Sequence, residues 1–471
     1  PYGSLANYWF QPLTQTSFHG VLSTEAFALK CGAKVVHLSK PCKFFNRFFS
    51  IICFLTYLCQ QNHKTAMKKT LLLSLLLSLA YLTAPCSNRV FSPRLKSLTS
   101  TVNSDWQNLP VMTLGSDDVL YVGFDEMSHD ARRYVARLVR CEADWTESEE
   151  VFETAWLDGI NDMVIDDYEH SINTTVDYTH YSLQLPNDQW RLRMSGNYRI
   201  DIYDEDGQEL AASVAFYVVE QIARISLTAT TNTDVDHNDR HQQISMEVNY
   251  GSLRVNMPDE EIYTMVMQNW SSATACINPK PTYITPQGLR WEHCRQLIFR
   301  AGNEYHKFET LDVSHTTMGI DHISWDGKNY QAFPFASGVR RNYLYDASGN
   351  GAFIIRNSDN TEVDCTCDYV WMNYQLQAPH RGDVWIDGQW TNGSDRNVYR
   401  MDYDEVSQSY LLSLLQKQGY YSYKYVDENG QAAFSEGDFF QTQNRYQALV
   451  YYRATTERTW RLVGYRSLDF R

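Results

Sequence analysis

The sequence predicts an all-β protein, a tandem array of immunoglobulin-like or early-set β-sandwich domains behind a signal peptide. Three observations carry that expectation. Short runs of alternating apolar residues, punctuated by Gly, Asn and Asp, recur along the chain, whereas long amphipathic helical patterns are hard to find. Aromatic residues make up 14% of the chain, led by 32 tyrosines, which is the palette of half-buried strands. A length of 471 residues exceeds the size at which one hydrophobic core stops growing, so several domains are expected.

Met67 opens the stretch MKKTLLLSLLLSLAYLTAPC, with Lys68 and Lys69 as a basic start, an apolar core from Leu71 to Leu82, and small residues around Ala84 to Ser87 where a peptidase would cut. This is a bacterial-style secretory signal. Residues 67–86 are therefore read as a signal peptide, and residues 1–66 as upstream sequence translated ahead of the true start. The charge-free stretch after Arg47, up to Cys59, is too short to span a bilayer, which needs about 20 apolar residues. Cys86 is a candidate lipid-attachment residue, with Pro85 an unusual neighbour for one. Lys+Arg 41 against Asp+Glu 56 gives a net charge of −15. Without residues 1–86 the balance is 33 basic against 55 acidic residues, or −22. Such acidity argues against nucleic acid and anionic lipid as partners.

The first sandwich is placed at 88–220. It ends on a hairpin, Ser195 to Glu220, in which Tyr198, Ile200 and Ile202 alternate inward, Asp206-Gly207 supplies the turn, and Phe216 and Val218 return. The second is placed at 221–362, from ARISLTAT across the acidic loop Thr231 to His241 and on to GNGAFIIRNSDN. The third, 363–471, begins with CDYVWMNYQLQAP and includes SQSYLLSLLQ, KQGYYSYKYVD and RYQALVYYRA. In the middle run Tyr421, Tyr423 and Tyr425 recur every second residue, a row of rings on one strand face that would either stack on a ligand or fill a core.

No GxSxG elbow, HExxH, Walker A loop or GxGxxG is present, so no catalytic residue is assigned. The acidic pairs Asp125-Glu126 and Asp166-Asp167 are expected to be solvated loop carboxylates in so acidic a chain. A glycosidase would need two carboxylates facing each other across a cleft. His180 reads as a strand residue with a hydrogen-bond partner rather than a base. Cys141, Cys276, Cys294, Cys365 and Cys367 follow residue 86, an odd number. A zinc site would draw on His293, Cys294, Cys365 and Cys367, but no CxxC pair supports it. The expectation is buried or disulfide-bonded cysteine, with Cys365 or Cys367 reaching Cys276 or Cys294. No metal and no cofactor is assigned. The N-x-S/T triplets at Asn173, Asn269 and Asn392 and the tripeptide Arg381-Gly382-Asp383 are given no role. What remains is a binding or interaction protein.

The motifs CEADWTES (Cys141 to Ser148), SINTTVDYTHYSLQLPN (Ser171 to Asn187), SGNYRIDIY, Gln268-Asn269, AGNEYHKFE (Ala301 to Glu309), LLQKQGYYSYKY and TQNRYQALVYYR (Thr442 to Arg453) follow one another through the chain. In that order, from about Leu109 to Tyr465, they resemble the type 9 secretion system plug protein family of Bacteroidota. Departures from the pattern are Arg140 where the family prefers His, His306 where it prefers Arg, and Met257 standing between Asn256 and Pro258. The resemblance implies a non-enzymatic periplasmic protein that closes the outer-membrane translocon of that pathway from its inner side by protein–protein binding, without a cofactor. Cys141, Trp145, Tyr178, Tyr181, Tyr198, Asn303, Glu304, Gly419, Tyr421 and Tyr423 are family-motif residues expected to be structural.

The last domain also resembles starch- and glycogen-binding early-set modules. Gly388, Trp390 and Asn392 approximate one of their motifs, and Gly419, Tyr421, Tyr423 and Lys424 match another. That likeness implies the alternative of an exported glycan-binding protein, with Trp385 and Trp390 as the exposed rings on which a sugar or a partner would sit. It also places Tyr421, Tyr423 and Tyr425 on an inner strand face, pointing to the core, with Lys424 turned to solvent.

Overall fold

A computed structural model describes residues 87–204 and 209–470, mostly strands joined by loops. The upstream extension, the signal peptide, Cys86 and the expected Asp206-Gly207 turn lie outside the described residues. Among the described residues no helix is long and apolar enough to cross a membrane.

The first sandwich is built from β1 (Leu95–Val102), β2 (Leu120–Glu126), β3 (Tyr134–Cys141), β4 (Thr179–Leu185), β5 (Gly196–Asp204) and β6 (Glu209–Val219). Strands β1, β2 and β4 form one sheet, and β6, β5 and β3 the other. Leu120, Val122 and Phe124 of the first meet Ile200, Val214 and Phe216 of the second in a shared core. The β5–β6 hairpin sets Tyr198 opposite Phe216 and Ile200 opposite Val214, as the period-2 pattern predicts.

Further on, the chain departs from a division into consecutive thirds. β7 (Arg224–Thr230), β8 (His241–Asn249), β9 (Ile262–Gln268), β10 (Ser271–Ile277) and β11 (Gly288–Trp291) begin a second sandwich, with β7, β8 and β11 in one sheet and β9 and β10 in the other. β12 (His306–Thr310), β13 (Tyr369–Gln377), β14 (Val384–Asp387), β15 (Ser409–Lys417) and β16 (Gly419–Val426) then belong to a ten-stranded sheet around its own core. The chain next returns. β17 (Arg445–Tyr452) lies antiparallel to β9, with Ile262 opposite Tyr452 and Gln268 opposite Tyr446, and β18 (Arg461–Asp469) extends that sheet.

The second sandwich is thus discontinuous, and the third is inserted into it. This corrects the expected boundaries 221–362 and 363–471. Strands 306–310, 320–325 and 330–334 join the third sheet, and 445–469 completes the second sandwich. The cause lies in β9, of whose seven residues only Tyr263 escapes full burial. Such a strand needs a neighbour that is itself buried on both faces, and RYQALVYY of β17 is one.

Two strands are covered on both faces. Every residue of β6 from Ala211 to Val219, and of β17 from Tyr446 to Tyr452, is buried. By contrast β4, THYSLQL, alternates. Ala215, Tyr217 and Val219 of β6 pack on Met265, Met267, Leu449, Tyr451 and Leu462, so the first two sandwiches stack as four layers. In the third sandwich Tyr421, Tyr423 and Tyr425 point into the core, and Phe308 stacks on Tyr421 at 5.3 Å. Gly419 allows residues 353–355 to pair there, because a Cβ would lie 2.3 Å from the Ile354 carbonyl oxygen. Lys424, expected in solvent, is mostly covered instead: its ammonium lies 5.4 Å from the Tyr305 ring centre and 3.7 Å from Asp387.

Candidate functional site at the junctions between sandwiches

The first and third sandwiches meet across a buried charged cluster. The pairing of β2 with β4 sets Asp125 directly opposite His180, which puts both side chains on one face of the sheet. The Asp125 carboxylate is fully buried. One oxygen lies 2.6 Å from His180 Nδ1, and the other accepts from Lys417 Nζ at 2.7 Å and from the Tyr369 hydroxyl at 2.7 Å. Burial alone would raise this carboxyl's pKa; the Lys417 charge and the His180 hydrogen bond override it and hold it below the ordinary value. Lys417 Nζ also donates to the Asp364 carbonyl and lies 4.1 Å from the Tyr178 ring centre. The Tyr178 hydroxyl donates to the Cys367 carbonyl at 2.7 Å, and Asp368 accepts from Thr175 N and Oγ1 at 2.9 and 2.7 Å. The SINTTVDYTHY motif is thereby fastened to the VDCTCDY segment. Asp125 and Glu126, expected as solvated loop carboxylates, are buried on β2 because cations from other elements reach them.

The junction of the first and second sandwiches is chiefly apolar. Cys141 and Trp145 lie in it, with Trp145 packed edge-on against Tyr217 at 5.2 Å. Its polar fastening is Arg140, whose buried guanidinium donates to Ser195 O at 3.0 Å and Trp460 O at 2.7 Å, while Glu142 accepts from Trp460 N at 2.9 Å. Tyr181 and Tyr198 sit deeper, in the first core; the Tyr198 hydroxyl donates to Met194 O at 2.6 Å.

Between the second and third sandwiches the chain crosses twice, and the AGNEYHKFE motif fastens the crossings together. Asn303 Nδ2 donates to Glu436 O at 2.9 Å. The buried Glu304 carboxylate accepts from the Tyr343 hydroxyl at 2.8 Å and Gln443 N at 2.9 Å, and burial raises its pKa. His306 Nε2 lies 3.2 Å from Glu436 Oε1; burial, aided by the Arg340 charge, pushes its pKa well below the usual imidazole value.

Trp385 and Trp390 are 8% and 7% exposed, so neither is the open ring expected for sugar stacking. Trp390 packs in the third core and donates to Ser422 O at 3.1 Å, while Arg396 covers Trp385 at 4.9 Å. No disulfide joins the described cysteines. Cys276 belongs to the second sandwich, whereas Cys365 and Cys367 lie at the first–third junction, so the expected pairings are not formed. Burial pushes the Cys276 thiol up to about 11 and the Cys367 thiol up to about 12, the opposite of an activated nucleophile. Among the described residues no group of three or more His, Cys, Asp or Glu is placed to hold a metal.

Sequence reasoning missed the junction residues Lys417, Tyr369 and Asp125. For the apolar junction a signal existed: AASVAFYVV and ALVYY are near-continuous apolar runs, the mark of strands covered on both faces.

A model of the type 9 secretion system plug protein 1st domain matches residues 95–220. A crystal structure of a hypothetical protein from Parabacteroides merdae superposes with a TM-score of 0.78 at 31% identity, covering 82% of this chain and 99% of that one. The C-terminal domain of the Streptococcus agalactiae AgI/II polypeptide BspA gives a TM-score of only 0.13 at 6% identity, and nothing rests on it. No curated protein matches the chain.

Proposed function

We propose, because this chain belongs to the type 9 secretion system plug protein family, that it is a non-enzymatic periplasmic protein that closes the outer-membrane translocon of that system by binding it from the inner side. The observation that supports this reading most is the way three sandwiches are fastened into one body by a buried apolar junction, a buried charged one and a partly buried hydrogen-bonded one. A body of fixed shape can occlude a wide opening without moving parts. What it needs is a complementary interface on the order of 1,600 Å² or more, and a translocon whose two states bind it with different affinity. The acidic chain suits a basic partner surface.

The test is co-purification of the tagged native protein with outer-membrane components, at low salt in mild detergent. Recovery together with the translocon is the expected result; recovery of soluble protein alone would sink the reading.

A further inference from the structure

Beside the charged cluster, the first–third junction opens into a cavity of about 330 Å³, within the range of small-molecule sites. Its walls are aromatic and aliphatic, from Phe353, Trp390, Tyr399, Leu414 and Tyr421. Phe91 and Val398, also among its lining residues, are 38% and 54% exposed, so apolar surface continues outward to solvent. The segment around Val90 forms the near side and is held there by Val90 N donating to Asn392 O at 2.8 Å and Ser394 N to Val90 O at 2.9 Å.

One charged group lining this cavity lacks a partner. Lys96 makes no ion pair among the described residues, and burial holds its ammonium below the ordinary lysine value. The other charged lining groups are committed: Lys417 to Asp125, and Asp395 to Asn397 N at 2.9 Å. A partly desolvated cation favours an anion beside it.

We propose that this cavity binds an amphipathic monocarboxylate, its acid head received by Lys96 and its apolar tail lying among Trp390, Tyr399, Leu414 and Phe353. An inorganic anion would leave the aromatic walls unused, and a neutral hydrocarbon would leave the ammonium unanswered. The inference stands independently of the secretion reading, since it concerns a ligand within the body rather than the partner outside it.

The experiment is isothermal titration calorimetry of the full chain with decanoate and, in parallel, decan-1-ol. One saturable decanoate site is expected, with decanol bound about ten-fold or more weakly, the scale of a charge-assisted hydrogen bond. Lys96→Met is expected to weaken decanoate about ten-fold and leave decanol unchanged, and Leu414→Trp, which fills the cavity, to abolish both. Lys96 is partly exposed, so that variant keeps the test decisive even if the cavity-filling one fails to fold, with near-ultraviolet circular dichroism as the check. Absence of saturable heat, equal affinity for acid and alcohol, or decanoate affinity untouched by Lys96→Met would each overturn the proposal.

Discussion

The first sandwich has two junctions made of opposite materials. Towards the second it presents Ala215, Tyr217 and Val219 to Met265, Met267 and Leu449, a contact of area. Towards the third it presents Asp125, His180 and Tyr178 to Lys417 and Tyr369, a contact of directed bonds. Apolar packing is non-directional and tolerates small slips, whereas a buried ion pair adds little net stability but penalises every arrangement that separates its charges. The first junction supplies cohesion, and the second fixes an angle.

The contrast can be broken most directly at Lys417. Lys417→Met leaves the fully buried Asp125 carboxylate uncompensated and is expected to cost about 3–5 kcal/mol in urea unfolding, with Asp125→Asn added to it restoring much of the loss. A cost below about 1 kcal/mol would mean that water reaches the pair and that the junction is not what it looks like. Next in size, Leu449→Ala in the apolar junction is expected to cost about 3 kcal/mol, and by the same amount at pH 5 as at pH 8. A pH-dependent cost there would erase the distinction between the two contacts.

Acid sharpens the comparison further. Asp125 titrates below its ordinary value when folded, so its contribution is complete above the ordinary carboxylate range and is lost as pH falls through the folded value. At the second–third crossing His306 acts in the same direction at higher pH. The unfolded chain takes up a proton near its ordinary value of 6.5 that the folded chain refuses, so stability falls on acidification by up to about 1.4 kcal/mol per pH unit. His306→Gln is expected to flatten the stability curve between pH 7 and 5; an unchanged slope would remove the imidazole from the account. The smallest expected effect is none at all. With Trp385 and Trp390 covered, glucan-affinity electrophoresis of the full chain should show no retardation, and retardation abolished by Trp390→Ala would restore the glycan reading.

What could be read from sequence followed the range of the interaction. The tyrosine row of β16 and the β5–β6 hairpin were legible, because side-chain alternation along one strand is local. The insertion of the third sandwich was not, because nothing near Ile262 says that its partner is Tyr452. Asp125 looks like any other acid in an acidic chain until Lys417, 292 residues away, is brought beside it. Trp385 and Trp390 misled for a related reason: a motif locates a turn, but neighbours such as Arg396, Tyr374 and Tyr421 decide whether a ring is covered.

The return of β17 to β9 also bears on how the protein comes to be made. As the chain emerges, β9 must wait from Ile262 until Tyr452 has appeared before that edge is paired, and an apolar strand with an open edge invites pairing with other chains. The inserted sandwich shortens the wait in space though not in time, since its own folding draws the two crossings together before β17 arrives. A stop codon just before Arg445 would therefore damage the middle of the molecule rather than its end.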